Sequence, residues 1–154
     1  MIAEVDGDQT SANEILKQIK KWDNALKNND IDQIIQSYTD DFSLFDVSSQ
    51  LSGLMQYKAE LERLSPYLTK NSYIRRRNIK VHVSGDLAFL YFYIKIENKQ
   101  IDTLLEMPWC RTTLCLQKKN KKWMVLHQHI SIPVNIVTKQ AVDLQVKAKL
   151  KLVV

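Results

Sequence analysis

Three groups of side chains in this 154-residue chain have types and spacings suited to chemistry. The first is Asp46. It closes the run Phe42-Ser-Leu-Phe-Asp46, whose alternation puts Phe42, Leu44 and Asp46 on one face of an extended segment. A carboxylate ending an apolar row serves either as a general base at a pocket or as a strand-end residue bonding the turn at Ser48-Ser49. The second group lies in Trp123-Met-Val-Leu-His127-Gln-His129-Ile-Ser131-Ile-Pro133. A period of 2 assigns Trp123, Val125, His127, His129 and Ser131 to one face and Met124, Leu126, Gln128, Ile130 and Ile132 to the other. Two imidazoles in one row act as acid, base or anion ligands, or bond neighbouring backbone and hydroxyls inside the core. The third is Arg111, on one face with Trp109 and Thr113, whose planar fork suits a carboxylate and also stacks on an indole. His127, His129 and Asp46 would together supply three ligands to one ion, but His-x-His recurs in ordinary strands, so no metal is expected. No Gly-rich phosphate loop is present, and no cofactor is expected.

These side chains need elements to position them. Ser11-Ala-Asn-Glu14 has capping-box spacing, and Ile15, Ile19, Trp22 and Leu26 then form an apolar stripe, which predicts a first helix. Asp30-Ile-Asp-Gln33 repeats the signal before Ile31, Ile34, Ile35 and Tyr38, a shorter second helix. Leu54, Tyr57, Leu61, Leu64 and Leu68 mark a third, interrupted near Pro66. From residue 71 the period changes to that of strands. Tyr73 to Val83, a turn at Ser84-Gly85-Asp86, an apolar strand from Leu87 to Ile96, a long strand from Thr103 to Gln117 and the Trp123 segment make a four-stranded antiparallel meander. Residues 1–10 read as a loose N-terminus, 11–135 as the domain, and 136–154 as a C-terminal extension, either an edge strand or a basic tail. The fold class is therefore α+β, with three N-terminal helices packed on a strongly curved antiparallel sheet and the natural pocket between them.

Composition narrows the function classes. A hydrophobic share of 45% with 25% charged residues suits an ordinary globular domain, and no apolar run approaches a membrane span. The acidic start lacks a secretory pattern, which leads to the expectation of a cytoplasmic protein. The net charge of +5 comes from scattered lysines, the Arg75-Arg76-Arg77 triplet and a basic tail, without an aromatic-interleaved basic motif; nucleic acid and membrane are not expected partners. Cys110 and Cys115, five apart on one strand, point to opposite faces and are expected as free thiols.

With these elements in order, the chain resembles the nuclear transport factor 2-like superfamily, in its SnoaL-like and ketosteroid-isomerase-like branch. The resemblance is carried by Trp22 to Asp30, Tyr38 to Asp46, Gly53, Val81 to Ala88, Arg111-Thr-Thr113 and Trp123 to Pro133. It implies a cone-shaped barrel with a pocket at its open end and homodimerisation through the outer sheet face, expected at Met124, Leu126, Ile130 and Ile132. In the ketosteroid isomerases an aspartate takes a proton beside a carbonyl while a tyrosine and a protonated acid hold the enolate oxygen; Asp46 matches that base. Trp22 stands in the tyrosine's place and Arg111-Thr112-Thr113 in that of the second acid. The implied activity is isomerase, cyclase or dehydratase chemistry on a small hydrophobic carbonyl compound. Asp46, His127 and His129 are the catalytic candidates, and Trp22, Tyr57, Trp109, Arg111 and Trp123 the substrate contacts. Val81-His-Val-Ser-Gly-Asp and the His127 segment are also similar to the hub domain of calmodulin-dependent kinase II, which implies a non-catalytic homodimeric binding or assembly module as the alternative.

Overall fold

The chain enters its first helix one turn earlier than Ser11 suggests. Asp8 is the N-cap, its Oδ2 accepting from the Ser11 amide at 2.7 Å, and α1 runs Gln9–Lys27. Glu14 is thereby freed to accept from Lys118 Nζ and Trp123 Nε1, both at 3.1 Å. The computed structural model describes residues 1–68, 72–98 and 107–147. Its elements are β1 (Ala3–Gly7), α1, α2 (Ile31–Ile35), β2 (Tyr38–Phe45), β3 (Gln50–Ser52), α3 (Leu54–Leu64), a 3₁₀ turn at Ser65–Tyr67, β4 (Tyr73–Ser84), β5 (Leu87–Glu97), β6 (Cys110–Lys119) and β7 (Lys122–Ser131).

These strands form one sheet in the order β1-β4-β5-β6-β7-β2-β3. The meander β4 to β7 is antiparallel as expected; β1 joins β4, and β2 joins β7, in parallel. The helices cover one face, burying Ile15, Ile19 and Leu26 of α1 and Tyr57 and Leu61 of α3 with Leu90, Phe92, Leu114 and Leu116 of the sheet. This is the α+β cone, open along one side.

Four expectations change. Residues 3–7 are not loose: they form β1, with Glu4 on Lys80, Asp6 on His82, and Gly7 at φ 97° so near β4 that a Cβ would lie 2.1 Å from the Val83 carbonyl oxygen. The second helix stops at Ile35, and Tyr38 opens β2 with its ring in the core. Leu87, Phe89 and Tyr91 of β5 are exposed, so that strand is buried on one face only. The fourth change lies in β7. Cys115 faces His127 while Leu116 faces Val125, so Leu126 is an extra residue, a β-bulge. Side-chain parity reverses there. Trp123 and Val125 point into the core, and beyond the bulge Gln128 and Ile130 do, while His127 and His129 turn to the outer face. The expected outer row of Met124, Leu126, Ile130 and Ile132 is broken accordingly, since Ile130 and Ile132 pack toward the core.

Past β7 the chain makes a turn bridged by Val134 and Ala141, with Asn135 Oδ1 accepting from the amides of Val137 and Thr138. Residues 142–147 form no strand, and the rest of the expected tail, like the start of the strand expected from Thr103, lies outside the described residues.

Candidate functional site

The amphipathic stripes of α1 and α3 do not close fully onto the sheet. Between them lies a cavity of about 590 Å³, walled by Leu26, Leu44, Leu61, Leu64, Leu68, Ile96, Met107 and Ile130 and carrying a few polar groups. Its size and mostly apolar walls are those of a small-molecule site.

Tyr57 from α3 lines this cavity and packs behind it with Tyr38 from β2 and Phe42, in a cluster of rings whose centroids are 4.7 to 5.0 Å apart. The Tyr57 hydroxyl donates to that of Tyr38 at 3.5 Å, and Tyr38 donates to Gln128 Oε1 at 3.5 Å. Burial is the main reason that Tyr57 is pushed up to about 12 and Tyr38 well above the usual tyrosine range. Both hydroxyls therefore remain protonated near neutral pH. Trp22, from the middle of α1, brings its indole beside them. Its N–H is near enough to both oxygens to oppose part of that rise, yet the nitrogen is buried without a formed hydrogen bond. Beneath the indole, Arg76 lies between the Trp22 and Phe92 rings, 5.0 and 4.6 Å from their centroids, and forks onto Asp23 through Nε and one terminal nitrogen. The pair is buried, with side chains 5% and 15% exposed. A buried ion pair of this kind costs about 3–5 kcal/mol if one partner is removed.

Asp46 occupies the rim, one residue past β2. Its Oδ1 accepts from the Val47 amide at 2.7 Å and its own amide donates to the Ser49 carbonyl at 2.8 Å. Asp46 thus bonds the turn and also lines the cavity, its carboxylate near enough to Tyr57 and Cys110 to push both upward. Across the rim, Glu60 and Arg63 form a two-point ion pair, and Arg63 holds the Glu60 carboxyl below its usual range. Among the described residues, Asp46 is the carboxylate lining the cavity without a forked cation partner.

Of the predicted site residues, the fold brings Asp46, Trp22 and Tyr57 to one cavity and leaves the others out. His127 lies on the outer face, Nδ1 2.6 Å from Ser43 Oγ and against the Phe45 ring; His129 is exposed beside the same ring. The bulge at Leu126 is the reason. Arg111 is exposed too, its Nε donating to Ser131 Oγ at 3.2 Å. Trp123 sits in the core with its indole nitrogen on Glu14, at the other end of α1. Trp109 is half-buried and is not part of the cavity wall. Among the described residues no three His, Cys, Asp or Glu side chains converge on a metal site. Gln128, Tyr38 and Arg76 were missed. The usable signal was Gln128, a carboxamide interrupting the row Met124, Leu126, Ile130.

A family model described as the SnoaL-like domain matches residues 15–135. Among solved structures, a nuclear transport factor 2-like protein of unknown function from Pseudomonas putida KT2440 is 29% identical, with 90% of this chain and 99% of that one covered and a TM-score of 0.80. A candidate dehydratase of the same fold family from Streptomyces avermitilis (16% identity, 82% and 97% covered, TM-score 0.68) and a candidate ketosteroid isomerase from Shewanella frigidimarina NCIMB 400 (18%, 83% and 99%, 0.66) share the fold. No functionally curated protein matches the chain. No described helix is long and apolar enough to cross a membrane.

Proposed function

The chain belongs to the SnoaL-like domain family, and from that premise we propose that its cone binds a small hydrophobic carbonyl compound on which Asp46 acts as general base. The observation that carries the reading is the mainly apolar cavity of about 590 Å³ lined by Asp46, by a Glu60 carboxylate already paired with Arg63, and by the uncharged Tyr57. Asp46 would take a proton from the carbon beside the carbonyl, and the Tyr57 hydroxyl, held protonated by burial, would face the oxygen on which charge develops. His127, His129 and Arg111 have no part in this chemistry. Candidate isomerases and dehydratases among the structural neighbours support the reaction class through the fold alone.

A melting screen over cyclic ketones tests the binding. At a hundredfold excess over Kd a ligand stabilises by about 2.7 kcal/mol, which for a domain of this size raises Tm by roughly 5–10 °C. Exchange of the ligand's α-protons in deuterated water then tests the chemistry. Asp46→Asn is expected to keep the melting shift and to slow exchange about a hundredfold or more. Unchanged exchange in Asp46→Asn would sink the proposed base.

A second reading, a homodimeric binding or assembly module, draws on the outer sheet face. There His82, Phe89 and Tyr91 lie in parallel, with centroids 4.5 Å apart for His82–Phe89 and 6.0 Å for His82–Tyr91. Phe89 is 46% exposed and Tyr91 40%, a patch suited to a partner surface.

A further inference from the structure

A second hollow, of about 360 Å³, lies outside the cone, between α1, the end of α2 and the first residue of β7. Among the described residues only Trp22 lines both. The walls here are polar: Lys17 and Lys21 from α1, Lys122 from β7, the carboxamides of Gln33 and Gln36, and Ser37. Lys17 and Lys21 stand one helical turn apart, a spacing at which like charges repel unless an acid offsets them. The nearby acids are engaged elsewhere. Glu14, one turn before Lys17, takes Lys118 and Trp123, Asp32 takes Lys58, and Asp30 caps α2. Neither Lys17 nor Lys21 forms an ion pair or hydrogen bond among the described residues. Across the hollow, the Lys122 ammonium donates to the Gln36 carbonyl at 2.9 Å, and Gln18 ties α1 to the Trp123 carbonyl at 2.9 Å. Three ammonium groups thus share one concave surface with a single carboxylate that is already paired.

We infer that this hollow binds the phosphoryl group of a small polar phosphate ester, Lys17, Lys21 and Lys122 meeting its charge and Gln33, Gln36 and Ser37 its hydroxyl-bearing body. The inference is independent of the carbonyl chemistry in the cone. Charge selects a dianion, because with Glu14 neutralised by Lys118 the three lysines exceed what one carboxylate would offset. Ammonium groups on flexible stems suit the dispersed oxygens of a phosphate, whereas a carboxylate is matched best by an arginine fork, and no arginine lines these walls. Shape and polarity select a small molecule. None of the wall residues is a large exposed apolar side chain, so there is no wedge for a bilayer. Trp22, the one aromatic ring, lies over Arg76 and is no platform for successive bases. Past Lys122 the surface carries Asp40 as well as Lys119, which interrupts the positive field in that direction.

Calorimetric titration of the whole chain with glycerol 3-phosphate, glucose 6-phosphate, gluconate and a short thymidine oligonucleotide tests this, with sedimentation of phosphatidylserine–phosphatidylcholine vesicles alongside. Three proteins are compared: the wild type, Lys17→Gln/Lys21→Gln, and Lys20→Gln/Lys147→Gln, which removes the same charge from exposed positions outside the hollow. Glutamine matches lysine in helix propensity, so α1 is kept in each. At least one of the two esters is expected to bind about tenfold tighter than gluconate, to lose about tenfold in Lys17→Gln/Lys21→Gln, and to change by less than about twofold in Lys20→Gln/Lys147→Gln. Absence of binding by both esters at millimolar concentration overturns the site, as does gluconate binding equally well or an equal loss in the two double variants. Oligonucleotide or vesicle binding that exceeds that of the esters and falls in Lys17→Gln/Lys21→Gln overturns it too, in favour of a nucleic-acid or membrane surface.

Discussion

At the scale of single residues, Tyr57 makes a measurable claim. Burial raises its pKa from 10.0 to about 12, so between those values the unfolded chain has lost a proton that the folded one keeps. Stability linked to this group is complete below about pH 10 and is lost as pH rises through about 12, a decline of about 3 kcal/mol from this hydroxyl. Tyr57→Phe is expected to cost about 1 kcal/mol at pH 7 for the hydrogen bond to Tyr38 and then to flatten the alkaline loss, which denaturant titrations at pH 7, 10 and 12 would measure. A parallel decline in both proteins would remove the linkage. Asp46 was legible in the sequence because its apolar row, Phe42 and Leu44, is unbroken up to it. Gln128 was not, since a glutamine in a half-buried strand faces outward more often than in, and its inward direction depends on the bulge two residues earlier.

Elements were legible where periodicity and caps agreed. The helical stripe of α1 and the capping aspartate of α2 needed no tertiary information, and Asp30 Oδ1 does accept from the Gln33 amide at 3.0 Å. Strand parity was not secure, because one inserted residue costs the ladder little yet reverses every side chain beyond it. A polar five-residue strand such as β1 has no periodic signal of its own; its pairing with Ile79 to Val83 supplies the order. Gly7 is where this pairing can be tested. Gly7→Ala combines positive φ with a clash against the Val83 carbonyl, and is expected to destabilise the β1–β4 junction by about 1–3 kcal/mol. Hydrogen exchange should then speed up at the β1 amides while those of β6 keep their protection. Uniform loss across the sheet would mean that β1 is part of the global core instead.

For the whole molecule, the α+β cone follows from three amphipathic helices preceding a meander, and the concave face follows from those helices having one surface to cover. The convex face is where sequence reasoning chose the wrong residues: the exposed aromatic patch belongs to β5, not to the apolar row of β7. If two copies meet there, Phe89→Ser should shift light scattering toward the monomer while leaving ketone binding in the cone unchanged. A wild-type monomer across the micromolar range would dispose of the assembly reading. The sheet's two borders bear on its fate at high concentration. β1 covers β4 from Ile79 to Val83, leaving the first half of that twelve-residue strand without a strand neighbour on that side among the described residues. That uncovered stretch contains Arg75, Arg76 and Arg77. Arg76 turns inward onto Asp23 and takes no part there, but Arg75, paired with Glu97, and Arg77 would each meet the charges of a second molecule adding a strand along this border, a repulsion that opposes edge-to-edge stacking.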